Sequence, residues 1–252
     1  VEMGLWSEAA RRNTVPSPEP VYGGDPDGRF YAVRTGDLLL VQIDALSKTT
    51  GELQSPEEAT LGPRQLAWLE RTLAESDAPF KIVMSERLVG GISPPDLPCW
   101  KSRGGIRATH DGLPTGTFLG EQAVLQQLFE EHGVQLFLSF HDHVVAVGAK
   151  PDARGESTGV VYAIGGRASG VGHPWADQEW YATAQDYDLD GVPEYDTGVT
   201  GTREPGVFEV TVVGGGNLEL VYRSSAADPA ESGLELLRFE ISPAGALSIP
   251  GR

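Results

Sequence analysis

The stretch VQLFLSFHDHVVAVG, Val134 to Gly148, sets His141 and His143 between two apolar runs, and these are two of the five histidines in the chain. Side chains alternate along extended backbone, so both imidazoles are expected on one side and Asp142 on the other. Neutral imidazole is a common metal ligand. Two at one strand end can serve one divalent ion or two adjacent ones. The plainer alternative is a pair of hydrogen-bonded histidines closing a strand, and a lone His-x-His does not decide between them.

A second group of donors lies in DYDLDGVPEYD, Asp186 to Asp196. Asp186, Asp188 and Asp190 take positions 1, 3 and 5 of a loop, with Gly191 at 6 for the sharp turn and Glu194 at 9. Position 7, Val192, offers its backbone carbonyl, and Asp196 is a spare ligand. Calcium gathers about 6–8 oxygens at about 2.3–2.6 Å, a demand that alternating carboxylates meet. The EF-hand pattern fails, since position 12 is Thr197 and no helical pattern flanks the loop. The stretch resembles the DxDxDG loops of extracellular calcium-binding repeats. An acidic solvated turn is the alternative, although clustered carboxylates repel one another when no cation is present. A weak structural calcium site suits millimolar calcium, so an extracellular or cell-surface location is expected.

The elements that must position these residues follow from periodicity. RFYAVRTGDLLLVQIDA predicts two strands, about Phe30–Arg34 and Leu38–Asp44, turning at Thr35-Gly36-Asp37. LGPRQLAWLERTLAESDAP predicts a helix with Pro63 at a first helical position. Its apolar face is expected to hold Leu66, Leu69 and Leu73, bordered by Trp68. FKIVMS, Phe80–Ser85, predicts a buried strand, and residues 88–118 a long Gly- and Pro-containing loop. GEQAVLQQLFEEHG predicts a second helix, with Val124, Leu125, Leu128 and Phe129 inward, His132 at its C-terminal end and Gly133 just past it. VQLFLSF is a second buried strand. Strand–helix–strand order with continuously apolar strands indicates a parallel sheet covered by helices. His141 and His143 then follow the carboxyl end of a parallel strand, the edge where open α/β sheets carry their sites.

Beyond His143 the pattern becomes β-rich: GVVYAIGG (159–166), GVFEVTVV (206–213), NLELVYRS (217–224) and LELLRFEIS (234–242), separated by Gly-rich turns. This half is expected to be mainly antiparallel. The fold class is therefore α/β, a partly parallel sheet with covering helices plus a β-rich C-terminal part. Residues 1–29 are expected to form an irregular lead-in. Residues 30–252 are expected to form a single domain, with 30–170 its α/β part and 171–252 its calcium loop and antiparallel part.

Composition narrows the partners. The chain has 252 residues, 40% hydrophobic and 22% charged, as globular proteins do. Its formal net charge of −17 comes from 36 acidic and 19 basic residues. Such a balance disfavours nucleic acid and anionic lipid and favours cations, although a solubility or salt adaptation would produce it too. No apolar run reaches the roughly 20 residues that span a bilayer, so no membrane insertion is expected. A lone Cys99 excludes an intramolecular disulfide. No G-x-S-x-G elbow supports Ser-His-Asp catalysis. GGRASGVGHPW is neither a P-loop nor a dinucleotide fingerprint. His110, His173, Trp100, Trp175 and Trp180 fall in loops and read as loop residues or contacts.

The ordered set GDLLLVQIDA, LGPRQLAWLERTLAESDAPFKIVMS, LQQLFEEHGVQLFLSFHDHVVAV and GVVYAIGGRASG resembles the calcineurin-like metallophosphoesterase superfamily, including purple acid phosphatases and PhoD-like phosphatases. The resemblance covers residues 30 to 170. It implies that His141 and His143 match the two histidines of the family's Gly-His-x-His, which bear on a two-metal centre of Mn, Fe or Zn type. Phe140 stands where the family has Gly. Glu86 stands where many members have a metal-binding His, and is either a substitute ligand or a solvated strand-end residue.

The family's earlier motifs, Asp-x-His, Gly-Asp-x-x-Asp/Tyr and Gly-Asn-His-Asp/Glu, do not occur before Phe30. In YGGDPDG the Asp follows no apolar strand. The chain thus resembles the C-terminal half of the family domain, and its beginning at Val1 suggests a processed chain or fragment. Two histidines without a bridging carboxylate cannot hold two ions about 3.5–4 Å apart. The isolated chain is therefore expected to be inactive. Phosphoric ester hydrolysis would require completion by an N-terminal companion segment or through a homo-oligomer. The alternative is a non-catalytic secreted structural or binding domain with a calcium-stabilised loop.

Overall fold

The architecture is that of a computed structural model, which describes residues 21–25, 28–44, 61–86, 121–140, 145–151, 157–166, 200–202, 204–214, 216–225, 230, 232–248 and 250. Its central layer is a mixed sheet in the order β1-β2-β3-β4-β5-β7-β6-β8. The strands are β1 (Val21–Gly24), β2 (Tyr31–Thr35), β3 (Leu38–Gln42), β4 (Phe80–Ser85), β5 (Leu136–Ser139), β6 (Val145–Pro151), β7 (Ser157–Ile164) and β8 (Thr200–Thr202). Strands β3, β4, β5 and β7 are mutually parallel; helices join β3 to β4 and β4 to β5, as parallel neighbours require, and β5 reaches β7 through the antiparallel β6. The hairpin β2–β3 turns at Gly36, whose φ of 55° suits glycine. β7 belongs to this sheet, parallel to β5 and antiparallel to β6, and β6 is antiparallel to β8 as well, so antiparallel pairing begins just after His143 and within the central sheet. The stretch expected to be irregular contains a short strand, β1. It is held by backbone pairing to β2 and carries no side-chain periodicity to betray it.

Helices α1 (Gly62–Glu75) and α2 (Glu121–Glu131) cover one face. Leu69, Leu73, Leu125 and Phe129 join Leu39, Val41, Val83, Phe137 and Tyr162 in one core. The apolar face of α1 is rotated from the expected one. Gln65, Trp68, Leu69, Thr72 and Leu73 are buried, while Leu66 is only partly so. Two polar anchors set this rotation. The Trp68 indole N–H donates to the Tyr22 carbonyl at 3.1 Å, and Gln65 bonds the backbone of Asp44.

A second, antiparallel sheet packs on the other face in the order β12-β11-β10-β9. Its strands are β9 (Gly206–Val213), β10 (Asn217–Ser224), β11 (Glu235–Ile241) and β12 (Leu247–Ser248). Leu218, Leu220, Phe239 and Ile241 interlock with Phe80, Ile82, Leu136, Leu138 and Val161. Gln135 ties the layers, donating to the carbonyls of Pro79 at 3.2 Å and Pro243 at 3.1 Å. No helix among the described residues is long and apolar enough to cross a membrane.

Candidate functional site

Parallel pairing brings four strand ends to one edge. From the register Gln42↔Met84, the next residues but one are Asp44 and Glu86. From Ser85↔Ser139 the next are Glu86 and Phe140, and from Ser139↔Ile164 they are Phe140 and Gly165. The chain beyond β5 runs directly into His141. The edge therefore receives Asp44, Glu86, Phe140 and Gly165 in a row across β3, β4, β5 and β7. Two hydroxyls stand just behind it, on Ser85 and Ser139, both buried.

Each of these positions has a local cause. Asp44 is half-buried and its backbone is clamped from α1. Its N–H donates to Gln65 Oε1 at 2.7 Å, and Gln65 Nε2 donates to its carbonyl at 2.8 Å. An amide side chain thus closes the end of β3 as a further strand would. Glu86 is exposed at the end of β4. The Ser139 hydroxyl has no hydrogen-bond partner among the described residues. The Ser139 carbonyl accepts from the Gly165 N–H at 2.7 Å and carries the β5–β7 ladder to the edge.

The glycines after β7 answer to packing. A Cβ at Gly165 would strike the Phe140 ring, and one at Gly166 the Tyr222 hydroxyl. Tyr222, on β10, is fully buried, donates to the Glu204 carbonyl at 2.9 Å and stacks edge-on against Phe208 at 5.0 Å. Burial, with the Glu204 charge in support, pushes its phenol up to about 12. Phe140 is 43% exposed and forms one wall of an apolar groove of about 450 Å³ between the sheets.

Of the site residues expected from sequence, Glu86 is brought to this edge. His141, His143, Asp186, Asp188, Asp190, Val192, Glu194 and Asp196 lie outside the described residues, as do His110, His173 and the three loop tryptophans. Among the described residues, no group of three or more His, Cys, Asp or Glu side chains is placed to hold a metal. What they bring to the edge is oxygen donors: the Asp44 and Glu86 carboxylates on adjacent strand ends, with the Ser85 and Ser139 hydroxyls one residue behind on the alternate face. Asp44 and its clamp Gln65 were not among the expected site residues. Their signal is a polar residue at an inward helical position of α1 and an Asp closing an apolar strand.

Asp25, in YGGDPDG, has a structural place. Its carboxylate is buried and meets Arg29 Nε at 2.9 Å and Arg64 at 3.8 Å, and the pairing of β1 with β2 sets it at the same end of the sheet, beyond β2.

Two solved structures share this architecture. One is a purple acid phosphatase isolated from yellow lupin (Lupinus luteus) seeds, with a TM-score of 0.51 and 16% identity over 88% of this chain. The other is PhoD, with a TM-score of 0.57 and 12% identity over 88% of this chain. The match spans 35% of the lupin chain and 44% of PhoD, so this chain corresponds to under half of either. No family model matches the chain, and no curated protein matches it. The fold is that of part of an α/β metallophosphoesterase-like domain.

Proposed function

We propose that this chain supplies the C-terminal half of a metal-dependent site for phosphoric ester hydrolysis, and that the site works only when a companion segment completes it. The observation that carries the reading is the convergence of β3, β4, β5 and β7 on one edge, in a fold shared with two phosphatases. In this reading His141 and His143 hold a divalent ion of Mn, Fe or Zn type, and Glu86 adds a carboxylate beside them. When bound in pairs, such ions supply an activated water and neutralise phosphoryl oxygens. The Gln65 clamp keeps the end of β3 fixed, and the Ser139–Gly165 bond does the same between β5 and β7. The loop Asp186–Asp196 is a calcium clip of structural purpose, suited to an extracellular or cell-surface setting.

The test is turnover of a chromogenic phosphate monoester with added Mn²⁺. The chain alone is expected to give background rates. The chain joined to the polypeptide encoded upstream of Val1 is expected to give metal-dependent turnover that His141→Ala abolishes. Background rates in both preparations, with calcium the only metal found on analysis, would establish the non-catalytic structural domain instead.

A further inference from the structure

The two sheets differ in breadth, eight strands against four. Part of the surplus lies over β3 and the carboxyl end of β4. On the helix side of β3, Leu39 and Val41 are fully buried. On its other face Leu38 and Leu40 are only partly buried, as is Met84 on β4. The same gradient runs across the second sheet. On β10, Leu218, Leu220 and Tyr222 are fully buried, but their partners on β9, Val212, Val210 and Phe208, face the same way and are not. Val212 is 37% exposed although it points inward. Leu38, Leu40, Met84, Phe208, Val210 and Tyr222 border the groove of about 450 Å³.

Among the described residues, the edge of β9 is open in the matching way. Ser225 N–H donates to the Pro205 carbonyl at 2.9 Å, which fixes the parity of the β9–β10 ladder. Val207, Glu209 and Thr211 exchange hydrogen bonds with β10, and Phe208, Val210 and Val212 turn their N–H and C=O groups off the edge. Phe208 and Val210, which border the groove, thus present backbone that is unpaired among the described residues. Exposed edges are normally blunted by shortness, bulges, Pro or Lys. β1 has an irregular register, β8 is three residues long and β12 two. β9 runs eight residues with continuous register and contains neither Pro nor Lys.

We propose that the groove is the seat of one further polypeptide strand, which pairs with the free edge of β9 and lays alternate apolar side chains over Leu38, Leu40 and Met84. The inference rests on the reading that the fold is completed by a companion segment, and it says where that segment binds. The net charge of −17 selects a neutral or basic strand over a second copy of this chain. More than half of each phosphatase lies outside the match, which is chain enough to supply such a strand.

The probe is a synthetic peptide of about nine residues alternating valine with lysine and threonine. The readout is residue-resolved amide exchange in the whole chain. Without peptide, the amides of Phe208, Val210 and Val212 should exchange freely, and those of Val207, Glu209 and Thr211 slowly. Peptide at about 90% occupancy should slow the first set roughly tenfold and leave the second unchanged. Val210→Pro removes only an outward N–H, which an edge strand tolerates, and should abolish the effect. A peptide N-methylated on the amides facing β9 should fail equally, and it leaves the protein untouched. Unchanged exchange at saturating peptide overturns the proposal. So does protection that grows with protein concentration alone and tracks a dimer mass, which would make the occupant a second copy. Binding of an apolar dye in the groove, with no peptide protection, would mark a small-molecule cavity and overturn it too. Protection without phosphate-ester turnover in the completed protein would leave this inference standing and remove the hydrolytic one.

Discussion

Replacing Lys81 with Met tests how the strand that ends in Glu86 is held. Lys81 lies on β4 and is 9% exposed. Its ammonium donates to the Leu73 carbonyl at 3.0 Å, in the last turn of α1, and to the His132 carbonyl at 2.8 Å, just past α2. Neither helix has a basic residue in its own last turn, so one lysine from the sheet serves the negative ends of both. Hydrogen bonds to a charged group contribute about 1.5–3 kcal/mol each, and desolvation of the buried ammonium offsets part of the pair. Methionine keeps most of the stem packing. The expected net loss is therefore about 2 kcal/mol, read as a lower urea midpoint at unchanged slope. Burial also holds the Lys81 amine below its ordinary 10.5 in the folded chain. Between that lowered value and 10.5 the unfolded chain binds the proton and the folded chain does not, so stability from this group rises with pH across the window. Lys81→Met should lack that rise. A variant within about 0.5 kcal/mol of the parent, with the same alkaline slope, would refute the shared-cap argument.

Two further substitutions probe the packing of the layers. Gly245 has φ 75° and a Cβ there would run into the Gly159 backbone, whereas Gly233 has φ 79° with nothing within 4 Å. Gly245→Ala should cost more than Gly233→Ala, which carries only the backbone penalty of about 1–2 kcal/mol; equal melting temperatures would contradict the contact. Tyr222→Phe should cost about 1 kcal/mol for its bond to the Glu204 carbonyl. In the parent, the Tyr222 tyrosinate absorbance should emerge only at about 12, a step missing from the variant. Because the unfolded phenol ionises near 10, parent stability should fall as pH climbs from 10 towards 12.

Where a residue's role is set by its own period, the sequence made it legible. β4, β9 and β10 fall on the stretches expected from apolar runs and Gly-rich turns, and the parallel order of β3, β4 and β5 follows from the helices between them. Roles set by long-range partners were hidden. Gln65 looks like a surface glutamine until the end of β3 arrives beside it, and Leu66 yields its place on the helix face for that reason. Lys81 reads as an irregularity in FKIVMS, and only the meeting of two helix ends explains a buried lysine there. β1 has no side-chain signal, because glycines and backbone pairing make it. At the candidate site, the carboxyl-edge rule pointed to the right end of the sheet. It did not show that Asp44 and Glu86 would stand on adjacent strand ends, since that depends on a register set 42 residues apart along the chain, between Gln42 and Met84.

The distribution of burial bears on how any completion would occur. The helix face of the central sheet is closed by α1 and α2, and the half of the second sheet built from β10 and β11 is locked to it through fully buried Leu218, Leu220 and Ile241. Among the described residues, a strip along β3, β4 and β9 is left half-covered, and that strip abuts Phe140, Gly165 and Gly166 at the carboxyl edge. A strand arriving there would meet a surface already formed and would lose only its own conformational freedom, roughly 1–2 kcal/mol per residue ordered. Its apolar side chains would recover about 25 cal/mol for each Å² they bury. Association of that kind binds to a folded body instead of folding it. The amide protection of β10 and β11 should therefore be the same before and after the added strand binds, and a completion that raised their protection in step with β9 would mean that the second sheet is not formed without it.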